Sequence, residues 1–483
     1  MTMRTSIHGG GLLVSAALVA ACGGSGGPGL GDGGTTAGID GTGAPVVAVG
    51  TVTSFGSVIV NGVRYDTSNT SFTIDGESGS QDDLSVGDVV RVVGSLDGSD
   101  SSLGTADSIV FDDLVEGPIE TGSINRVAGI LVVLGQTVRV TADTSFDNSV
   151  PTGSLDGLTA GDVVEVTGLV ASDGSITATR VELKPAGGLF EVTGLVANHS
   201  AGSFQINGLV VDYSRAMLDD FPSGMIEDGQ LVEVKGMDLA ARELDAMQVQ
   251  FKGNEINPGA DDQIEIEGFV TRFVDATDFD VAGFPVTINS STQFEGGATG
   301  DLRLDIKVEV EGGLNAVGVL LASKVDIRRS SSARLAARVD SVDTSTNSFV
   351  ALGITVGIDR LTRLEDKFMD VEPFTLAQLA AGDYVEVRGA ETGSSELIAS
   401  LVERDDPDTQ TELRGRVESI ARPTFTILGV TVTTHAGTSL RDADRNLIDA
   451  DTFFAELREG DLVNVDGVEV ADRAIQADEA ELE

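Results

Sequence analysis

The sequence predicts an all-β protein built as a tandem array of small barrels. Three observations favour this class: an eight-residue motif recurs six times, its apolar and polar residues alternate, and Gly-containing turns separate the apolar runs. Alternation with a period of two is typical of a strand that buries one face and exposes the other. With 60 Gly and no Trp in 483 residues, the composition favours strands and turns over helices.

Valine stands two and four residues before the closing Gly in every copy of the motif, and the residue between the two valines is polar. The valines are therefore predicted to face a core and the polar residues to face solvent. Repetition at this interval divides the chain into units of about 70 residues, each with its own small core. The six copies span Gly87–Gly94, Gly161–Gly168, Gly229–Gly236, Asp305–Gly312, Gly382–Gly389 and Gly460–Gly467.

The other elements of each unit follow a common order. A Gly-x-Val-like strand opens the unit, and a hairpin follows whose turn contains Gly; Asn61-Gly62 is the strongest of these hairpin signals. After the motif comes a last strand that begins at Ala, where a bulge is expected. A bulky apolar residue between the hairpin and the motif is expected to fill each core: Phe72, Phe146, Leu218, Phe294, Leu364 and Leu440.

A variable connector precedes the motif, and in two units it has the pattern of a short helix. Thr375 and Gln378 fit a capping box, and residues 451–459 precede Gly460 in the same way. Three strands, a connector and two strands is the order of a five-stranded OB-like barrel, with a short β-sandwich as the alternative. The brief linkers predict barrels set in a row along the chain.

The domain boundaries follow from these repeats and from the composition of the N-terminus. The tether is rich in Gly and lacks periodicity, as flexible linkers do. The predicted domains are a lipoprotein signal peptide (1–21), a Gly-rich tether (22–44) and repeats 1 to 6 at 45–115, 116–188, 189–253, 262–329, 333–405 and 411–483.

The N-terminus has the pattern of an export signal: Arg4 precedes an apolar run that is too short to span a bilayer and ends at Ala21-Cys22. Small residues before the chain's single Cys resemble the lipobox of bacterial lipoproteins. That resemblance implies cleavage before Cys22, acylation of Cys22, and, with Gly23 following, the outer membrane of the cell envelope. The body would then face the periplasm or the outside. Ordinary secretion with a free thiol is the alternative.

The chain is strongly acidic, with 77 Asp and Glu against 31 Lys and Arg and a formal net charge of −46. Such a charge repels nucleic acid, which we exclude as a partner. The acids are either a solvated surface or ligands for divalent cations. The predicted metal ligands are Asp442, Asp444, Asn446 and Asp449, whose spacing matches the first half of an EF-hand loop.

The loop departs from the EF-hand pattern, because Leu447 and Phe453 stand where that pattern has Gly and Glu. A solvated turn is therefore the competing interpretation. Apart from Ca²⁺ at this loop, no cofactor is expected.

No catalytic residue is predicted. Hydrolysis by a nucleophile needs a base within reach, and after removal of the signal only His199 and His435 remain, neither of which recurs in the other units. Paired carboxylates such as Asp82-Asp83 lack the aromatic neighbours of a sugar-cleaving cleft. An envelope hydrolase therefore ranks below the non-catalytic classes.

The combined pattern G-x-V, V-x-G, T-x-F, G-D-x-V-x-V-x-G and A-x-x-V-x-F resembles a repeat family of unknown function found in proteobacterial lipoproteins. The resemblance covers nearly all of residues 45–483, and the sequence departs from the family's pattern at Asp305 and Ala480. The resemblance implies the fold and a location in the cell envelope, and it implies no activity because none is established for the family.

We therefore expect a lipid-anchored, non-catalytic scaffold, spacer or binding protein, in contact with the membrane through its lipid and with envelope or extracellular proteins. A calcium-dependent, adhesin-like surface stalk is the alternative.

Overall fold

The computed structural model describes residues 44–483 apart from residues 56, 99, 254–258, 260, 261, 329, 330, 370 and 372. The predicted signal peptide, Cys22 and nearly all of the tether lie outside the described residues. The described part is mainly strands, with short 3-10 turns and the α-helix Ala450–Glu456. Among these residues no helix combines the length and the apolar character needed to cross a membrane.

The first two units contain the following elements. In unit 1 the strands are Pro45–Ser54, Val58–Val60, Val63–Asp66, Ser71–Ile74, Glu77–Gly79, Val89–Leu96 and Leu103–Phe111, with a 3-10 turn at Gln81–Asp83. In unit 2 the strands are Val115–Pro118, Ile130–Val133, Gln136–Arg139, Ser145–Phe146, Val163–Val170 and Ile176–Lys184, with 3-10 turns at Pro151–Gly153 and Leu155–Gly157.

Units 3 and 4 repeat this order. In unit 3 the strands are Phe190–Leu195, Ala197–Ser200, Ser203–Ile206, Leu209–Asp212, Met217–Asp219, Leu231–Ala240 and Glu243–Phe251. In unit 4 the strands are Gln263–Asp275, Asp278–Val281, Phe284–Thr287, Gln293–Glu295, Lys307–Leu314 and Leu320–Ile327, with a 3-10 turn at Thr299–Asp301.

Units 5 and 6 have the same order of strands. In unit 5 the strands are Ala333–Asp343, Ser348–Ala351, Ile354–Gly357, Arg363–Asp366, Tyr384–Gly393 and Glu396–Asp405, with a 3-10 turn at Leu376–Gln378. In unit 6 the strands are Thr411–Ala421, Thr424–Ile427, Val430–Thr433, Ser439–Arg441, Leu462–Ala471 and Ala474–Leu482, with the helix Ala450–Glu456.

The strands of each unit close into a barrel with OB-like order, as unit 5 illustrates. The long first strand pairs antiparallel with the second strand and with the motif strand. The third strand pairs parallel with the last strand, which returns antiparallel to the motif strand. Units 1, 4 and 6 close in the same way. This order confirms the predicted tandem array of five-stranded barrels over a β-sandwich.

Units 2 and 3 close with small irregularities in the first strand. In unit 3 that strand is interrupted at Val196, and its second half pairs with the hairpin. In unit 2 the barrel closes through the isolated bridge between Ile119 and Val133. Both irregularities leave the motif strand and the last strand paired as in the other units.

The closing Gly of the motif lies opposite the Ala that begins the predicted last strand, and the register shifts directly after that Ala in all six units. The predicted bulge is therefore present. At Gly94 an added Cβ would lie 2.1 Å from the carbonyl oxygen of Thr105, and at Gly389 2.2 Å from that of Ile398. Only Gly allows the two backbones to approach this closely.

The interiors of the barrels are filled by apolar side chains. The second strand contributes a fully buried aromatic ring in four units, from Phe204, Phe279, Phe349 and Phe425. The two motif valines are buried in every unit: Val90/Val92, Val164/Val166, Val232/Val234, Val308/Val310, Val385/Val387 and Val463/Val465. This confirms the strand facing that the period of two predicts.

The bulky residues after the hairpins were predicted to fill the cores, and this prediction is only partly right. Phe146 and Leu440 are buried, but Leu218 is 38% exposed. These residues lie on a short strand that pairs parallel with the last strand, beside the barrel. The apolar residue three positions before the motif instead lies buried in every unit: Leu84, Leu158, Ile226, Leu302, Leu379 and Leu457.

The two predicted connector helices have different outcomes. At Thr375 the capping box is present, with Gln378 Oε1 accepting from the Thr375 backbone N–H at 2.6 Å, but it begins a 3-10 turn of three residues. In unit 6 the helix begins at Ala450, and its N-cap is Asp449, which accepts from the Thr452 backbone N–H at 2.8 Å.

The barrels do not follow one another in a simple row, which corrects the expectation drawn from the short linkers. Units 2 and 3 share one sheet and units 5 and 6 share another, but unit 1 shares its sheet with unit 4. Val46–Val49 pair parallel with Gln263–Ile266. The linkers are short, but the edges of the first strands remain open to pairing, and this pairing decides which units join.

Val465→Asp should unfold unit 6, because an unpaired charge in a core of this size costs several kcal/mol. Val465 is fully buried, whereas Val470 on the same strand is 58% exposed. Val470→Asp is therefore the matched control and should leave unfolding unchanged. Calorimetry of the full chain, with hydrogen exchange across residues 411–483, measures both. Equal protection in the two variants would contradict the assigned strand facing.

Candidate metal centre at the junctions between units

The loop with the predicted metal ligands is organised by its own backbone. The Asp442 carboxylate accepts from the backbone N–H groups of Asp444, at 3.0 Å, and of Asn446, at 2.8 Å. Asp449 caps the following helix. These hydrogen bonds hold the pKa values of Asp442 and Asp449 below their usual range. Calcium at this loop stays a prediction.

The two histidines lie in different local settings. His199 Nε2 lies 2.7 Å from the Tyr213 hydroxyl and its ring stacks on that of Tyr213. His435 Nδ1 accepts from the Gly437 backbone N–H at 2.9 Å, inside a turn. Neither contact places the ring beside a Ser hydroxyl as a general base for hydrolysis.

The charged side chains converge where units meet, and the junction of units 5 and 6 is the simplest case. Here the first strands of the two units pair antiparallel. Arg334 lies between two carboxylates, 3.0 Å from Glu386 and 3.1 Å from Glu412. Glu386 also pairs with Arg388 at 2.5 Å. Burial opposes ionisation, but the two guanidinium groups outweigh it and lower the pKa of Glu386 to about 2.

A second junction joins units 1, 2 and 5. Arg180 is buried and pairs with Asp147 at 2.5 Å, with Asp88 at 4.0 Å and Glu365 at 3.9 Å on the neighbouring units. A cavity of about 140 Å³ lies beside it, and its charged lining residues include Arg180, Asp147, Glu365 and Lys367. Burial raises the pKa of Asp88 to about 7, although Arg180 opposes the rise. The charges in this cavity are largely paired within the protein.

The junction of units 2 and 3 uses the same strand register as that of units 5 and 6 but contains different side chains. Glu116 on the first strand of unit 2 lies opposite Glu165 on one side and opposite Glu191 on the other. Three carboxylates thus stand in one row across three adjacent strands. Like charges directly opposite one another destabilise a sheet.

Two more carboxylates from unit 1 and its linker cover this row. Asp75 lies in a two-residue turn between Ile74 and Glu77, where Asp75 and Gly76 both have positive φ, the geometry of a type I′ hairpin. Its carboxylate accepts from the Asp113 backbone N–H at 3.1 Å. The turn thereby brings unit 1 against the junction of units 2 and 3.

Carboxylate oxygens of Asp75, Asp113 and Glu191 lie within 4.8 Å of one another, and so do those of Asp113, Glu116 and Glu165. Asp113 belongs to both groups and is 2% exposed. We call these five residues the acidic junction. Lys235 pairs with Glu191 at 2.7 Å and Lys184 pairs with Glu165 at 2.7 Å. These lysines lie at the two sides of the row.

The ionised forms of the carboxylates in the acidic junction are unfavourable. Burial is the largest cause, and the neighbouring carboxylates add to it, so the pKa of Asp113 is raised well above its usual range. Burial also raises the pKa of Glu116 to about 7, against the effect of Lys184. Asp75 and Glu191 have raised pKa values for the same leading reason. The site favours a positive charge that the side chains do not supply.

Sequence reasoning missed this site because its members lie far apart along the chain and each looks like a solvated acid, in a turn or linker or on the outer face of a strand. One feature of the sequence does indicate a site at a junction. Asp112-Asp113 follows the last strand of unit 1 directly and stands four residues before Gly117 of the next unit, so it lies at a junction in any arrangement of adjacent barrels.

Filled OB-like barrels that meet through charged junctions define a multi-domain repeat protein. The chain belongs to the family described as "Domain of unknown function (DUF5666)", which confirms the predicted six copies of one repeat domain. The family matches residues 49–109, 116–182, 193–250, 267–326, 337–403 and 414–481.

The other comparisons add little. No curated protein matches the chain. A solved structure titled "drosophila Unr CSD456" is similar at 16% sequence identity and a TM-score of 0.12, covering 45% of this chain and 98% of that chain. At that TM-score the similarity does not bear on the architecture or the function of this protein.

Glu386→Gln should destabilise units 5 and 6 by about 1.5–3 kcal/mol at pH 7, since it weakens hydrogen bonds to two guanidinium groups. The pKa of Glu386 falls from 4.5 to about 2 on folding, so the carboxylate contributes stability above pH 4.5 and loses it as the pH falls through 2. The difference between wild type and variant should shrink accordingly. Melting from pH 7 to pH 3, with exposed Glu396→Gln as the control, checks this; a pH-independent difference would contradict it.

Proposed function

We propose that this chain is a lipid-anchored cell-envelope protein whose six barrels act as a non-catalytic scaffold or binding platform. The single observation that supports this most is that polar side chains on the barrel surfaces make the contacts that join the units to one another. The interiors hold apolar side chains, and Arg and Lys side chains bridge one unit to another.

The hydrogen bonds between units make the platform more than a string of independent domains. Arg363 donates to the Thr179 carbonyl oxygen at 3.0 Å, and Arg360 donates to the Asn61 carbonyl oxygen at 2.7 Å. Unit 5 is thereby tied to units 2 and 1 at once. A body joined in this way holds its surfaces in fixed relation, which suits a scaffold.

The anchor is proposed from the sequence. Ala20-Ala21-Cys22 with a preceding apolar run resembles a lipobox, and dual or triple acylation of Cys22 would attach the chain stably to the outer membrane. The Gly-rich residues 23–44 would then separate the body from the membrane. Envelope or extracellular proteins are the proposed partners, because the acidic charge disfavours nucleic acid.

Cys22→Ser should release the protein from the membrane fraction, because it removes the only thiol that can carry lipid. Fractionation of cells and labelling with palmitate measure the outcome. Ser25→Ala, three residues further on, is the control and should remain membrane-bound and labelled. If the Cys22→Ser protein still sediments with membranes and takes up label, the proposed anchor is wrong.

A further inference from the structure

We infer that the acidic junction binds a divalent cation, and that this cation is Ca²⁺. The site is formed by Asp75, Asp113, Glu116, Glu165 and Glu191, at the meeting point of units 1, 2 and 3. It differs from the loop at Asp442 and does not depend on the proposed membrane anchor.

The charge at the site supports a bound cation. Five carboxylates face only two paired lysines, Lys184 and Lys235. When all are ionised, three negative charges remain without a counter-charge. Removing an isolated charge from water is unfavourable, and a buried acid without a partner becomes protonated or finds a cation.

Asp113 is the most direct sign of a ligand. The residue is 2% exposed, and its carboxylate lies among the carboxylates of the other four residues. Among the residues that the structure describes, no hydrogen-bond donor and no cationic side chain contacts that carboxylate. Buried polar groups in proteins are almost always satisfied, so this one is expected to hold a partner from solution.

The repeated architecture provides an internal comparison. In both junctions the first strands pair antiparallel in the same register, with Glu191 opposite Glu116 in one and Glu412 opposite Ala336 in the other. In the junction of units 5 and 6 the guanidinium of Arg334 bridges the two flanking glutamates.

The residue that corresponds to Arg334 by this register is Leu114, which has no charge. The flanking glutamates Glu165 and Glu191 correspond to the pair that Arg334 bridges. The junction of units 2 and 3 therefore keeps the acids, adds Glu116 and Asp113, and lacks the bridging cation. A metal ion supplies the missing positive charge.

The ligand chemistry indicates Ca²⁺. All five side chains offer hard oxygen ligands, and there is no His or Cys among them, which disfavours zinc and copper. Ca²⁺ accepts six to eight oxygens at about 2.3–2.6 Å in variable geometry, with carboxylates binding through one or both oxygens. Mg²⁺ requires a near-regular octahedron, which carboxylates from three strands, one turn and one linker satisfy less readily.

Binding would join three units, because the ligands come from unit 1, from its linker to unit 2, and from the paired strands of units 2 and 3.

Ca²⁺ should raise the melting temperature of the full chain by several degrees relative to EDTA, since a ligand of the folded state stabilises it. Mg²⁺ at matched ionic strength should give a smaller rise, and the matching removes general screening as a cause. Titration calorimetry with CaCl₂ measures the affinity.

Two variants separate cation binding from folding. Asp113→Asn removes a ligand and part of the repulsion, so it should melt in EDTA at or above the wild-type temperature and lose the response to Ca²⁺. Leu114→Arg places a guanidinium where Arg334 stands in the other junction. It should also raise the melting temperature in EDTA and abolish the Ca²⁺ response.

Asp82→Asn is the matched control, since it makes the same substitution at an exposed carboxylate of unit 1 outside the acidic junction, and it should keep the response to Ca²⁺. Asp442→Asn tests separately whether the loop that the sequence singled out contributes to the response. The inference is overturned if wild type shows no rise with Ca²⁺, if Asp113→Asn responds like wild type, or if only Asp442→Asn loses the response. Hydrogen exchange over residues 112–117 and 190–193 localises the effect. Protection there that rises with Ca²⁺ supports the site, and protection confined to residues 442–452 refutes it.

Discussion

The contact between the closing Gly of the motif and the Ala of the last strand is the constraint on which each barrel depends. With no Cβ on one side and only a methyl group on the other, the two strands approach closely, and the residue after the Ala bulges outward. The bulge increases the local twist, which a small sheet needs in order to close on itself. Where the barrel closes, the valines of the motif face inward and the core is complete.

The same bulge contributes to the contacts between units. In unit 5 the bulged residue is Ser400, whose hydroxyl donates to the Asp143 carboxylate of unit 2 at 2.6 Å. In unit 2 the bulged residue is Thr179, whose carbonyl oxygen accepts from Arg363. A feature that each barrel needs for closure thus also presents polar groups to its neighbours.

Much of the fold could be predicted from the sequence because the motif alternates strictly. Val465 and Asn464 differ in polarity, and that difference assigns the two faces of the strand. The residue that fills the core from the connector was misassigned, since Leu218 and Ile226 are equally apolar and periodicity does not distinguish them in an irregular segment.

The junctions could not be predicted, because Glu165 and Glu386 occupy the same position of the motif and both look like solvated acids. Whether such a residue meets Arg334 or Glu116 depends on the first strand of its own unit. Whether a further acid completes the row, as Glu191 does, depends on which first strands pair. That choice is made by edge strands whose sequences are all similar. The acidic junction combines residues from three units, and no local pattern in the sequence connects Asp75 with Glu191.

The pairing of unit 1 with unit 4 has a consequence for how the protein is made. Val46–Val49 find their partner strand, Gln263–Ile266, only after three complete units have been synthesised. Until then an apolar strand edge of unit 1 stays available to other chains, which is a known route to aggregation. Maturation therefore has an order imposed by topology: among the six units, unit 1 waits longest for its partner strand, through the synthesis of units 2 and 3. A holding chaperone that recognises extended apolar strands would be required most during that interval.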